Sequence, residues 1–241
     1  MGMSFNTPNL PTELFDAKLL GFDTETTGVN PRQDRLVTAA LISREPGRED
    51  EQRLWLADPG VEIPEAAQRV HGISTEKARA EGLDLRIVLE QVAAGIVEGW
   101  RQGAILVGFN ISFDLQILHF GLERLGLPTL IDRAGGFGPI ADPLVLDRKF
   151  DRYRRGKRTL TDLCTVYDLG TGRDFHQADA DVTATLDLFQ AQLRRYPTLA
   201  GFSAAQLNEE QALAHEQWAT SFNDWLRSKG RVADVSETWP L

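Results

Sequence analysis

The chain is poor in several things, and each shortage excludes a class of protein. It has a single cysteine, Cys164, so neither an internal disulfide nor a cysteine-cluster metal site is possible. A lone thiol of this kind fits a reducing compartment and reads as a small buried apolar side chain. No apolar run approaches the ~18–20 residues of a membrane span; the longest, such as Leu36 to Ile42, suit buried strands. The N-terminal stretch has no basic segment followed by an apolar one, which reads as the absence of a signal peptide and an expected cytoplasmic location. Positive charge is also short: 26 Lys and Arg face 35 Asp and Glu, for a net charge of −9. That balance argues against a whole surface made for a polyanion. Repeats and low-complexity tracts are missing as well, which leaves solenoids and disordered linkers aside.

What is present is ordinary globular material. At 241 residues, 42% hydrophobic and 25% charged, the chain can form one domain with an appendage. Strand signals come first: Leu19 to Phe22, Arg35 to Arg44 and Gln52 to Ala57 read as an antiparallel meander. Helices then alternate with a buried strand at Ala104 to Phe109. Pro64 opens one helix, Ser74 and Asp84 can cap the next two, and Asp142-Pro143 has the form of an N-cap with proline at the first helical position. Gly135 to Gly138 is glycine-rich but lacks the strand-to-helix setting of a phosphate-binding loop. Thr159 caps a short helix, and a long one covers Ala178 to Arg195 before Pro197. The expected architecture is α/β, a mixed β-sheet flanked by α-helices. Its divisions are an N-terminal extension over 1–17, a main domain over 18–196 and a C-terminal helical appendage over 197–241. In the appendage, Ser203 with Gln206, or Asn208 with Gln211, can form the capping box that starts a helix. The helix it starts is expected to carry Leu207, Ala214, Trp218, Phe222, Trp225 and Leu226 on one side, with Gly230 as its stop.

Three blocks carry chemistry. Phe22-Asp23-Thr24-Glu25-Thr26-Thr27-Gly28 ends the first strand, and residues i and i+2 of a strand share a face, so Asp23 and Glu25 aim two carboxylates at one spot. In Val107-Gly108-Phe109-Asn110-Ile111-Ser112-Phe113-Asp114, a buried strand delivers an Asn and then an Asp at a helix start. His176-Gln177-Ala178-Asp179-Ala180-Asp181 leads into the long helix. From residue chemistry alone Asp179, Asp181 and Asp187 are all eligible to join the other carboxylates.

In their order and spacing these blocks resemble the three motifs of the DEDDh exonucleases, the DnaQ-like 3′→5′ exonuclease family that includes the proofreading subunit of the bacterial replicative polymerase. The resemblance spans about residues 18 to 195. It implies a ribonuclease H-like fold, with Asp23, Glu25, Asp114 and Asp181 as ligands of two divalent metal ions, Mg²⁺ or Mn²⁺. It also implies His176, five residues before Asp181, as the general base that takes a proton from the attacking water. Thr26, Gly28, Asn110 and Phe113 are carried over as substrate-contacting positions, and His71, in the segment His71-Gly72-Ile73, as a substrate-lining one. Phe109 departs from the histidine that the family often has before the motif Asn. Asp142 stands where family members often carry an Asp, and its local sequence favours a cap.

The chemistry explains the residue types. Phosphodiester hydrolysis is slow without a catalyst that generates hydroxide and stabilises charge on the entering and leaving oxygens. Two hard cations ~3.5–4 Å apart can do both, and they favour carboxylate oxygens. Imidazole, with a pKa of ~6.5, suits proton transfer near neutrality.

Against the acidic average, Arg148 to Arg158 holds seven basic residues and one acidic, with Phe150 and Tyr153 interleaved. Such a segment can track a nucleic-acid backbone, and Arg154, Arg155 and Lys157 are its candidate contacts. The expected function is thus a metal-dependent exonuclease releasing nucleoside monophosphates from single-stranded or frayed 3′ ends. DNA is favoured over RNA because the Thr-Thr-Gly of the first motif looks closer to proofreading-type members. The rival reading is a non-catalytic nucleic-acid-binding or polymerase-accessory module, in which the Trp218/Phe222/Trp225 helix docks a polymerase or other protein.

Overall fold

The computed structural model describes residues 14–170 and 178–241. Three strands form the expected meander: β1 (Leu19–Thr26), β2 (Leu36–Arg44) and β3 (Glu51–Asp58), antiparallel in that order. The short helices α1 (Glu65–His71) and α2 (Thr75–Glu81) follow, and Ser74 caps α2 by accepting from the Lys77 N–H. A two-residue strand, β4 (Leu83–Asp84), then joins the edge of β3. Helix α3 (Leu85–Arg101) crosses the sheet and delivers β5 (Ile105–Val107) parallel to β1 on its other side. Next come α4 (Ile111–Arg124), α5 (Leu130–Ala134) and a second two-residue strand, β6 (Ile140–Ala141). The chain ends with α6 (Pro143–Phe150), α7 (Leu160–Val166), α8 (Ala178–Arg195), α9 (Pro197–Ala200) and α10 (Ala204–Ser228). The sheet order is β4-β3-β2-β1-β5-β6, a mixed sheet with helices on both faces. Strands of two residues are below the length at which alternation is readable, which is why β4 and β6 were not expected. Among the described residues no helix is long and apolar enough to cross a membrane.

The pleat of β1 sorts its residues between two cores. Leu20 and Phe22 enter the layer under α3 and α4, whereas Leu19 enters the layer under α8 with Ala40, Ile42, Val182 and Leu186. Gly21 faces α8 so closely that a Cβ there would lie 2.3 Å from Val182 Cγ1 and 3.1 Å from Leu186. The absence of a side chain at one strand position therefore sets how near α8 rides to the sheet. Arg44 of β2 adds a polar tie across this layer, pairing with Asp187 at 2.7 Å and with Asp50 at 2.7 Å.

Helix α10 is integral to the sheet. Strand β6 is an edge, and its outward backbone groups are met by two amide side chains of α10. Asn208 accepts from the Ile140 N–H at 2.9 Å and donates to Gly138 O at 2.9 Å. Gln211 accepts from the Asp142 N–H at 2.7 Å and donates to Ile140 O at 2.8 Å. Positions i and i+3 of a helix lie on one face, so two amides stand in for the missing strand and close an edge that would otherwise be unpaired. This revises the expected inward face. The fully covered positions are Leu207, Gln211, Ala219, Asn223 and Leu226, while Trp225 is exposed. Polarity hid Gln211 and Asn223 from the apolar pattern, although both are hydrogen-bonded inside. The basic segment begins inside a helix, its first three residues forming the last turn of α6.

Candidate active site

The pleat that sorts the two cores also distributes the chemistry. Asp23 and Glu25 share the strand face of Gly21, toward α8, while Thr24 points to the opposite layer, toward α4. On one side of β1 the antiparallel partner β2 pairs as far as Thr26, and on the other the parallel partner β5 pairs only with Leu19–Gly21 and ends before the carboxylates. A crevice at such a change of strand direction is where open α/β sheets place their sites.

Each carboxylate arrives by a separate route. Asp114 stands in the first turn of α4, 4% exposed, and its Oδ1 accepts from both the Thr24 N–H at 3.0 Å and the Thr24 hydroxyl at 2.6 Å. The turn before α4 uses Asn110 with φ 58° and ψ 40°, a left-handed conformation that Asn tolerates better than most residues. The Asp142 carboxylate holds that turn, accepting from the N–H groups of Asn110 at 3.0 Å and Ile111 at 3.1 Å while capping α6 through Leu144 N–H. The expected cap is thus observed, with a second duty that a linear reading does not show. Asp181 is in the first turn of α8, brought over β1 by the close approach at Gly21.

Asp23 lies within electrostatic reach of the other three carboxylates. Burial raises the Asp23 pKa well above the carboxylate range, and Asp114, Glu25 and Asp181 raise it further. Glu25 is pushed up to about 7 by burial and by Asp181. Burial lifts Asp114 to about 7 against the two Thr24 hydrogen bonds, which favour its ionised form. Burial raises Asp142 to about 6 against the N–H groups that stabilise its charge. Carboxylates whose charges oppose ionisation of Asp23 and Glu25 are a donor set suited to hard divalent cations, which relieve that repulsion. Among the described residues no three His, Cys, Asp or Glu side chains stand close enough together to hold an ion.

A cavity of about 480 Å³ opens beside Glu25 and is walled by Trp55, His71, Ile73, Lys77 and Asp179. His71 accepts from the Ile73 N–H through Nδ1, and burial lowers its pKa. Trp55 and Lys77 had no sequence signal, because only the folding of α1 and α2 over β3 brings them to this opening. Asp187, bound to Arg44, lies apart from the cluster. The expected general base, His176, falls outside the described residues.

The other expected contacts are placed as follows. Thr26 donates its hydroxyl to Gly28 O at 2.6 Å, and a Cβ on Gly28 would meet the Asp34 carboxylate at 2.6 Å, so both shape the turn after β1. Phe113 packs half-buried against the α3/α4 core. Arg154 is turned inward onto the fully buried Asp147 at 2.9 Å, where Arg158 joins it. Arg155 and Lys157 are exposed.

Residues 20–189 match the profile of the RNase T exonuclease family. A PolC-type DNA polymerase III of Lacticaseibacillus paracasei is 26% identical over 200 residues, which are 83% of this chain and 13% of that protein. The PolC-type enzyme of Mycoplasma pneumoniae is 27% identical over 202 residues, with the same shares. Among solved structures, Escherichia coli exonuclease I bound to single-stranded DNA with zinc superposes with a TM-score of 0.64 at 18% identity, over 83% of this chain and 43% of that one. Exonuclease I of Methylocaldum szegediense gives 0.64 at 23% identity, over 83% and 45%. The chain therefore spans about an eighth of these polymerases and under half of these nucleases. At these identities the structural likeness shows the fold, which is the ribonuclease H-like mixed sheet expected from the motifs.

Proposed function

Since the chain belongs to the RNase T exonuclease family of DnaQ-like 3′→5′ exonucleases, we propose that it hydrolyses the terminal phosphodiester bond at nucleic-acid 3′ ends and releases nucleoside monophosphates. The observation that carries this reading is the raised pKa values of Asp23, Glu25 and Asp114 at the end of β1, with the Asp181 charge among the causes for Asp23 and Glu25. A module that only bound nucleic acid would gain nothing from four carboxylates beside an anionic backbone.

In this reading Asp23, Glu25, Asp114 and Asp181 hold two divalent cations, Mg²⁺ or Mn²⁺. Bound there, the cations supply an activated water and neutralise charge on the phosphoryl oxygens. Thr24 fixes the Asp114 carboxylate from two directions, and Asp142 fixes the turn that presents it. The 480 Å³ cavity beside Glu25 receives the terminal nucleoside, with Trp55 offering a ring face and Lys77 a cation near its mouth. His176 takes the proton from the attacking water. DNA is the favoured substrate, in keeping with the single-stranded DNA bound by exonuclease I, and the cytoplasm, where a lone cysteine stays reduced, is the favoured location.

Degradation of 3′-labelled DNA and RNA oligonucleotides with Mg²⁺ or Mn²⁺ tests the reading. Asp23→Ala and Asp181→Ala should abolish cleavage, and His176→Ala should depress kcat far more than metal affinity. Intact oligonucleotides under all these conditions would refute it.

A further inference from the structure

A second cavity, of about 570 Å³, lies between the basic segment and α10. Five of its ten lining residues are basic, namely Arg148, Lys149, Arg152, Arg154 and Arg158, and none is acidic. Its walls are built in advance of any ligand. The buried Asp147 carboxylate gathers Arg154 and Arg158, and the Arg158 guanidinium donates to the carbonyls of Asp151, Arg152 and Arg154, so the segment wraps around it. Across the cavity Lys149 pairs with Glu210 at 2.7 Å. The Arg148 guanidinium stacks 3.5 Å above the Trp218 ring. Trp218 stacks in turn on Phe222 at 5.4 Å, and Phe222 on Trp225 at 5.5 Å, with interplanar angles of 12° and 15°. This ladder fixes the α10 wall and holds the Arg148 guanidinium against it.

Part of this charge has no direct ion partner among the described residues. Among the described residues neither Arg148 nor Arg152 forms an ion pair, and Arg152 is exposed. A volume of this size admits a nucleotide-sized group. Its position also connects it to the carboxylate cluster. Helix α6 carries Asp142 at its N-cap, beside Asn110 and within electrostatic reach of Asp114, and it carries Arg148 and Lys149 in its last turn. At 1.5 Å per residue that helix is about 12 Å long, a span that a single strand covers in a few nucleotides.

We propose that this cavity is a second nucleic-acid subsite, which grips the phosphate backbone of the single strand some nucleotides upstream of the 3′ end held at the carboxylates. The proposal rests on the function proposed above. It makes substrate length a determinant of affinity, because a strand too short to span the distance set by α6 cannot reach Arg148 and Arg152.

Fluorescence anisotropy on the full chain, with Ca²⁺ in place of Mg²⁺, would measure binding of 5′-labelled oligothymidylates of about 4 and about 16 nucleotides, lengths that bracket single-strand site sizes. The wild type should bind the longer strand at least about tenfold more tightly at low salt, and Arg152→Glu should remove most of that gain. The milder Arg152→Gln should lower the slope of log affinity against log salt by about 0.7 for the longer strand only. Arg152 is exposed, so neither change threatens folding. Equal affinity and equal salt slope in all three proteins would overturn the proposal. So would binding of polyglutamate, but not of oligothymidylate, that depends on Arg152, since the occupant would then be an acidic protein segment. If the wild type neither binds nor, with Mg²⁺, cleaves any single strand, the proposed function itself fails. Cleavage that does not depend on length or on Arg152 would sink only this subsite.

Discussion

Gln211→Ala probes whether the C-terminal helix is an attachment or a part of the catalytic fold. Gln211 is 0% exposed and meets two β6 edge groups, the Asp142 N–H at 2.7 Å and Ile140 O at 2.8 Å. Truncation to alanine leaves both buried without a partner, at ~1–3 kcal/mol each, so a loss of about 4 kcal/mol is expected. For a chain of this size ~1 kcal/mol corresponds to 2–4 °C, which places the melting temperature about 8–16 °C lower. Glu216→Ala, at an exposed position on the same helix, should stay within ~0.5 kcal/mol. The effect should also reach the site. The Asp142 backbone is held by Gln211 and its carboxylate holds the Asn110 turn, so Mn²⁺ affinity, read by titration calorimetry, should fall with stability. Urea unfolding of both variants gives the free energies. A Gln211→Ala loss below about 1 kcal/mol would mean that water replaces the amide freely and would refute the idea of a sealed edge. Lost stability with unchanged Mn²⁺ affinity would cut the link to Asp114.

Further outcomes follow from the same structure. Glu25 and Asp114 near 7, and Asp23 above its ordinary range, exceed unfolded values near 4. The stability these groups contribute is therefore full below about pH 4 and is lost as pH rises through about 7. Melting in EDTA should fall between about pH 5 and pH 8, and Mg²⁺ should oppose the fall; a rise in EDTA would contradict it. Thr24→Val removes the 2.6 Å hydroxyl donor to Asp114, so Asp114 should shift further up and the Mg²⁺ concentration for half-maximal cleavage should rise several-fold at pH 7. Gly21→Ala sets a methyl 2.3 Å from Val182 Cγ1, an overpacking worth about 1–3 kcal/mol. Thermal melts should show that loss, and Gly21→Ala with Val182→Ala should recover part of the cleavage rate. Asp147→Asn leaves Arg154 and Arg158 without their shared charge, and unfolding should register about 3–5 kcal/mol.

The legible part of the molecule was the part written in short range. The alternation of the meander, the caps at Ser74, Asp84, Thr159 and Ser203, and the span of α8 follow from neighbouring residues. Asp23 and Glu25 were readable as a pair from strand periodicity. Long-range partners were not. Thr24 looks like any strand threonine until Asp114 is seen 90 residues away, and Trp55 and Lys77 reach the cavity only after α1 and α2 fold back over β3. Charge counting along the basic segment gave no sign of the buried Asp147, which turns Arg154 and Arg158 inward.

The alternation along β1 has one more consequence, for how a preparation of this protein should be judged. A one-residue slip of β1 against β2 would exchange its faces. Asp23 and Glu25 would then point into the apolar layer under α3 and α4, and Phe22 would point at α8. Such a molecule is not a slower enzyme, since both strand carboxylates leave the site together and Thr24 releases Asp114 in the same movement. Under the proposed function a slipped chain would be silent, and such chains would lower the specific activity of a preparation in proportion to their number.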